Sequence, residues 1–164
     1  MRKRLIVAIL GLAISFAVPI FGQEKEEANP FLWRAILASP QLAQQLDVIN
    51  RQLDEAFNKH DAVAVAALFT TNATLVAPLG IFSGRDGIEK YFTDVFQRFN
   101  PSDQLTKISY VYAFAEDLCA IGGRSVTANP GYPLQGGGYL ICVYTRVRDT
   151  WKIRVEVDKY MTGP

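Results

Sequence analysis

Residues Ala73 to Phe96 constrain the fold more than any other stretch. Thr74 to Ala77 is short and apolar, with β-branched residues, and reads as a strand. Pro78-Leu79-Gly80 turns the chain, because proline fixes φ and glycine tolerates positive φ. Ser83-Gly84-Arg85-Asp86-Gly87 then leads into a helix. Its Ile88, Tyr91, Phe92, Val95, Phe96 and Phe99 recur at three- and four-residue steps and form one apolar face. Asn100-Pro101 ends it.

The flanks differ in kind. Upstream, Leu42, Leu46, Ile49, Leu53, Ala56 and Phe57 keep the helical period, while Gln44, Asp47, Arg51, Asp54 and Lys59 face away. Ser39 is the expected N-cap and Pro40 suits the first turn. After Asn58-Lys59-His60, Asp61 caps a shorter helix, Ala62 to Phe69. Downstream the chain reads as strands: Thr106 to Ala115, Leu118 to Ala128, Tyr139 to Val147, and Trp151 to Tyr160. Short turns between consecutive strands imply an antiparallel meander, so the expected class is α+β with helices on one face of a curved sheet.

Alternation assigns the strand faces. Ile108, Tyr110, Tyr112 and Phe114 fall on one side of their strand. A three-residue turn at Arg148-Asp149-Thr150 pairs Val147 with Trp151, Thr145 with Ile153, Val143 with Val155 and Ile141 with Val157. That register gathers a nearly all-apolar face for burial. It leaves Tyr144, Arg146, Lys152, Arg154, Glu156 and Asp158 on a charge-paired face toward solvent or a dimer partner. Arg124 shares parity with Leu118, Ala120 and Gly122, and points inward if they do. A turn centred on Pro130-Gly131 sets Cys119 opposite Cys142, with a disulfide or two free thiols both open.

Residues 1–22 form their own unit. Arg2-Lys3-Arg4 is followed by the apolar run Leu5 to Phe21, then by Gly22 and the polar Gln23-Glu24-Lys25-Glu26-Glu27. This is the layout of a signal peptide, and export to the periplasm or exterior is expected. Read instead as an uncleaved anchor, it would be the chain's one tie to a membrane. Residues 23–39 form a leader, and 40–164 the domain. The whole chain carries a net charge of +1. Removing Arg2, Lys3 and Arg4 from its 17 basic residues leaves 14 against 16 acidic ones, a net charge of −2. No net basic field remains for nucleic acid. Two cysteines and one histidine are too few for a Cys/His metal centre. No motif calls for a cofactor.

Four local patterns, in this order and spacing, resemble the NTF2-like (SnoaL-like, ketosteroid-isomerase-like) family between Ile49 and Tyr160. They are His60-Asp61, Ala77-Pro78-Leu79-Gly80, Gly84-Arg85-Asp86-Gly87-Ile88 and Trp151-Lys152-Ile153. The resemblance implies a cone: a curved antiparallel sheet wrapped around N-terminal helices, with a pocket at its open end and dimerisation through the sheet. It also implies positions for isomerase chemistry, and this chain departs from them. The general base, an Asp just before the Pro-x-Gly turn, is Ala77. The tyrosine donor of the first helix is Leu53. The penultimate strand holds no Asp or Glu. Alanine and leucine can neither take a proton nor hold an enolate, so no catalytic residue is assigned.

The cone implies a pocket among Phe82, Tyr91, Phe92, Phe96, Arg124 and Tyr139, where aromatic walls and one cation suit an apolar body with an anionic end. The expected function is non-catalytic binding of a small apolar or amphipathic molecule. The alternatives are an isomerase, dehydratase or cyclase-like enzyme with a relocated base, and a dimeric structural module. His60 is read as an exposed loop residue.

Overall fold

Ser39 starts helix α1 (Pro40–Asn58), its hydroxyl accepting from the Leu42 amide at 3.4 Å. The periodic residues Leu46, Ile49, Leu53, Ala56 and Phe57 are buried along it. So are Asn50 and Asp54, and Asp54 thereby departs from its expected outward place. Asp61 caps α2 (Ala62–Ala67) through the Ala64 amide at 2.9 Å. Between the helices His60 adopts a positive φ of 56°. It is exposed, its Nε2 lies 2.6 Å from the Pro101 carbonyl oxygen, and its ring stacks on Phe96. His60 therefore fastens a corner.

The computed structural model describes residues 36–37, 39–114, 116–131 and 136–160. The expected signal peptide and nearly all of the leader lie outside them. The strands are β1 (Ile36–Leu37), β2 (Phe69–Ala77), β3 (Gly80–Ser83), β4 (Ser102–Phe114), β5 (Asp117–Thr127), β6 (Gly138–Val147) and β7 (Thr150–Tyr160). Helix α3 (Gly84–Phe99) stands between β3 and β4. The sheet runs β1-β4-β5-β6-β7-β2-β3. Its β4 to β7 section is the expected meander; β2 joins β7 in parallel, and the remaining pairs are antiparallel. Pro78-Leu79 closes a hairpin onto β3, a strand the sequence pattern did not announce. Helix α1 lies against β4 and β7, and α3 against α2 and β2. The class is α+β, with helices packed on a curved sheet.

Bulges set which faces turn inward. On β4, Ile108 pairs with Gly122 and Tyr110 with Ile121, so Ser109 is an extra residue. The expected common face of Ile108 and Tyr110 is split there. On β7, Tyr144 pairs with Ile153 and Val143 with Val155, so Arg154 is extra. The turn holds two residues, with Val147 opposite Thr150. The expected pairs at Val143 and Ile141 form; those at Val147 and Thr145 do not. Beyond the bulge Glu156 is fully buried and the Asp158 side chain is 5% exposed. Neither faces solvent or a partner as expected, and Ile141 is the exposed one. On β2, Phe69 pairs with Ile153 and Thr74 with Val155, which leaves β2 three residues longer than β7 between those pairs.

Cys142 pairs with Ala120 and Cys119 with Val143, one residue away from the expected match. The two cysteines thus point to opposite faces, and both are free thiols.

Candidate functional site

Arg124 reaches the interior from β5, as its parity implied, and is 5% exposed. Its Nη1 donates to Glu156 Oε1 and to Asp158 at 3.2 and 3.3 Å. Its Nε donates to the Thr106 hydroxyl at 3.2 Å. That hydroxyl donates in turn to Asp54 Oδ1 at 2.8 Å. Asp54 also takes the Gln104 side-chain amide and the Thr106 backbone amide, so α1 is tied to β4. Beside this chain Tyr144 donates its hydroxyl to Asn50 Oδ1 at 2.8 Å. Cys142 Sγ sits 3.6 Å from Glu156 Oε2.

One atom of the network is left over. Arg124 Nη2 is buried and has no hydrogen-bond partner. Buried donors are seldom left so, because desolvation without a partner costs on the order of 1–3 kcal/mol. The charges are also unbalanced: one guanidinium faces two carboxyl groups. Burial pushes the Asp158 carboxyl up; Arg124 pulls it down and Glu156 raises it again, leaving it at about 7. Burial alone favours neutral Arg124, but Glu156 and Asp158 outweigh it and keep the guanidinium protonated. Burial raises Cys142 and Tyr144 as well, with Glu156 adding to both, so thiol and phenol stay neutral.

The network meets the surface along a cleft of about 820 Å³ between α1 and β4. Asn50 and Thr106 line it, together with Arg51, Leu105, Lys107 and Ile108. Both therefore belong to the cleft wall and to the buried network. A small molecule in the cleft meets the network through these two side chains.

The six residues expected to share a pocket separate into three places. Phe82 on β3 and Tyr91, Phe92 and Phe96 on α3 form a continuous cluster of edge-on and tilted rings, joined by Phe57. Arg124 lies in the polar network. Tyr139 pairs with Gly123, so it points to the opposite sheet face from Arg124 and is 57% exposed. The sequence reading passed over Asn50 and Thr106, and gave Asp54, Tyr144, Glu156 and Asp158 to the surface; Tyr144 is instead fully buried.

The profile of the SnoaL-like domain family matches residues 49–155. The chain belongs to this family. The SnoaL-like match takes in Asn50 and Asp54 on α1 and ends on β7 one residue short of Glu156. No curated protein matches. Among solved structures the SnoaL-like chain is similar to Aln2 from a Streptomyces species, with a TM-score of 0.65, 18% identity, and 76% of this chain and 94% of that one covered. It is similar to a candidate scytalone dehydratase from Novosphingobium aromaticivorans (TM-score 0.63, 14% identity, 74% and 85% covered). A candidate dehydratase of the NTF2-like family from Streptomyces avermitilis follows at TM-score 0.59 and 15% identity, with 76% and 100% covered. At these identities the likeness shows the fold, an NTF2-like cone, and assigns no reaction.

Proposed function

We propose that this SnoaL-like domain binds a small molecule through the α1–β4 cleft, and that the ligand presents a neutral oxygen, a carbonyl or hydroxyl, to the Arg124 network. The carrying observation is the buried, unpartnered Nη2 of Arg124 beside two carboxyl groups. The free donor asks for an acceptor, and because Arg124 is not itself in the cleft wall the ligand oxygen reaches it past Asn50 and Thr106. The anionic end expected from a lone arginine is disfavoured, because Glu156 and Asp158 already outnumber the cation. A carbonyl adds an acceptor without adding charge. The ligand's apolar body rests on Leu105 and Ile108.

Calorimetric titration with matched aromatic carboxylates, ketones and alcohols tests this. Ketones and alcohols bind tighter than the carboxylates at pH 8, and Arg124→Gln weakens them at least tenfold. Preferential binding of carboxylates would remove the neutral-oxygen reading. Unchanged affinity in a folded Arg124→Gln protein would remove the site.

A second reading, an enzyme with a relocated base, is favoured by Asp158, whose carboxyl titrates at about 7 within a buried network. Such a group can take and return protons near neutrality. It supports dehydration or isomerisation of the bound oxygen compound. The isomerase positions themselves stay apolar: Leu53 and Ala77 are buried in the core. Turnover of a β-hydroxy ketone that tracks a group near pH 7 and disappears in Asp158→Asn supports it; an inert wild type counts against it.

We also read the domain as exported, from the pattern of residues 1–22, and as a homodimer through the sheet face carrying Tyr110, Tyr139 and Ile141, all exposed. Cell fractionation checks the first, and sedimentation of the domain checks the second. A cytoplasmic protein or a monomer would remove them.

A further inference from the structure

A second recess lies where β2 departs from β7, separate from the α1–β4 cleft. The three extra β2 residues between Phe69 and Thr74 open the sheet there. The recess measures about 350 Å³, and Arg85, Arg146, Lys152 and Arg154 line it, with no carboxylate among the described lining residues. Thr71 and Asn72 add a hydroxyl and a side-chain amide from the bulged strand.

These cations are poorly neutralised by the protein. Arg85 Nη2 donates to the Phe69 carbonyl, and its Nε is buried with no partner. Lys152 Nζ donates to the Ala67 carbonyl at 2.7 Å. Arg146 lies over the Trp151 ring, 5.8 Å from its centroid. Among the described residues only Arg154 of the four meets an acid, Asp117, at 3.5 Å and in an exposed geometry. Four like charges around one concavity repel each other, and low-dielectric walls focus their field into it. In a chain whose net charge is only +1 this concentration is local. Guanidinium forks, an ammonium, a hydroxyl and an amide are the donor set that recognises tetrahedral oxyanions.

We propose that this recess is an anion site for the phosphoryl group of a small molecule. At about 350 Å³ the concavity admits one or two such groups with a short substituent. The site is independent of the Arg124 network, and its loss leaves ligand binding in the α1–β4 cleft unchanged.

Titration with inorganic phosphate and pyrophosphate at low ionic strength, by calorimetry, is the test. Pyrophosphate binds saturably at one site and more tightly than phosphate. The double variant Arg146→Gln/Arg154→Gln, whose positions are both exposed, weakens it at least tenfold. Lys59→Gln/Lys90→Gln removes the same charge elsewhere and changes affinity less than twofold. In a Trp33→Phe background, pyrophosphate shifts Trp151 emission, because Arg146 moves against that ring. Absence of saturable binding overturns the proposal, as does an equal loss in both double variants. Vesicles of phosphatidylglycerol serve as a further arm. Vesicle binding abolished by Arg146→Gln/Arg154→Gln, with no binding of free phosphate or pyrophosphate, overturns the small-molecule assignment in favour of a lipid surface.

Discussion

The interior of the cone has two unlike halves. Around α3, Phe57, Tyr91, Phe92 and Phe96 meet ring to ring, with centroids 5.0 to 6.1 Å apart. Between α1 and strands β4 to β7, the same interior holds an arginine, three carboxyl groups, a glutamine, an asparagine and a tyrosine. The aromatic half is held by contact area, which is forgiving of shape as long as volume is kept. The polar half is held by complementary pairs, where loss of one member strands the others. The polar half thus carries the higher penalty for error.

The comparison breaks most visibly at Arg124. Arg124→Ala leaves Glu156 and Asp158 buried without their cation, and chemical denaturation should show a loss of about 3–5 kcal/mol. Arg124→Met combined with Glu156→Leu and Asp158→Leu should recover most of it, because neither carboxylate is then left without its cation and only the Thr106 hydroxyl and Cys142 thiol lose a partner. A recovery of less than half would mean that the network is worth more than its desolvation.

A smaller effect is expected from pH. The folded Asp158 carboxyl sits at about 7, raised from 3.8 chiefly by burial. Between those values the folded chain holds a proton that the unfolded chain has released. Its contribution to stability is therefore present below pH 3.8 and is lost progressively as pH rises to about 7. Asp158→Asn should flatten this slope between pH 4 and pH 8. Parallel slopes in both proteins, read from urea midpoints, would exclude Asp158 as their source.

The aromatic half sets the lower bound. Phe96→Leu keeps most of the volume and leaves no polar group stranded, so about 1–1.5 kcal/mol is expected. A loss as large as that of Arg124→Ala would erase the distinction between the halves.

Much of the architecture was legible because it rests on local periodicity. Leu46 to Phe57, Ile88 to Phe96 and the four long strands all follow from spacing alone. The candidate site was harder because it depends on parity across bulges. One extra residue at Arg154 reverses every face beyond it, and no composition signal marks such a residue. On β6 both faces carry apolar residues, Leu140 and Cys142 against Ile141 and Val143, so alternation favoured the face that turns outward. One clue was available. Inward-pointing Arg124 demanded a buried carboxylate, and on the two strands that follow β5, Glu156 and Asp158 are the acids within a strand body. Asn50 and Asp54 were hidden for another reason: a polar residue on a helix flank is usually solvated, and only the distant partners, Tyr144 on β6 for Asn50 and Gln104 and Thr106 on β4 for Asp54, make these exceptions.

Gly122 lies on β5 two residues before Arg124, buried and opposite Ile108. A Cβ there would collide with the Lys107 carbonyl oxygen. Lys107 and Ile108 are the β4 wall of the cleft that leads to the Arg124 network. The aperture of that cleft is thus set from behind by a backbone resting directly on a backbone. A side chain that is missing is the shim that keeps β4 seated against β5 along that cleft.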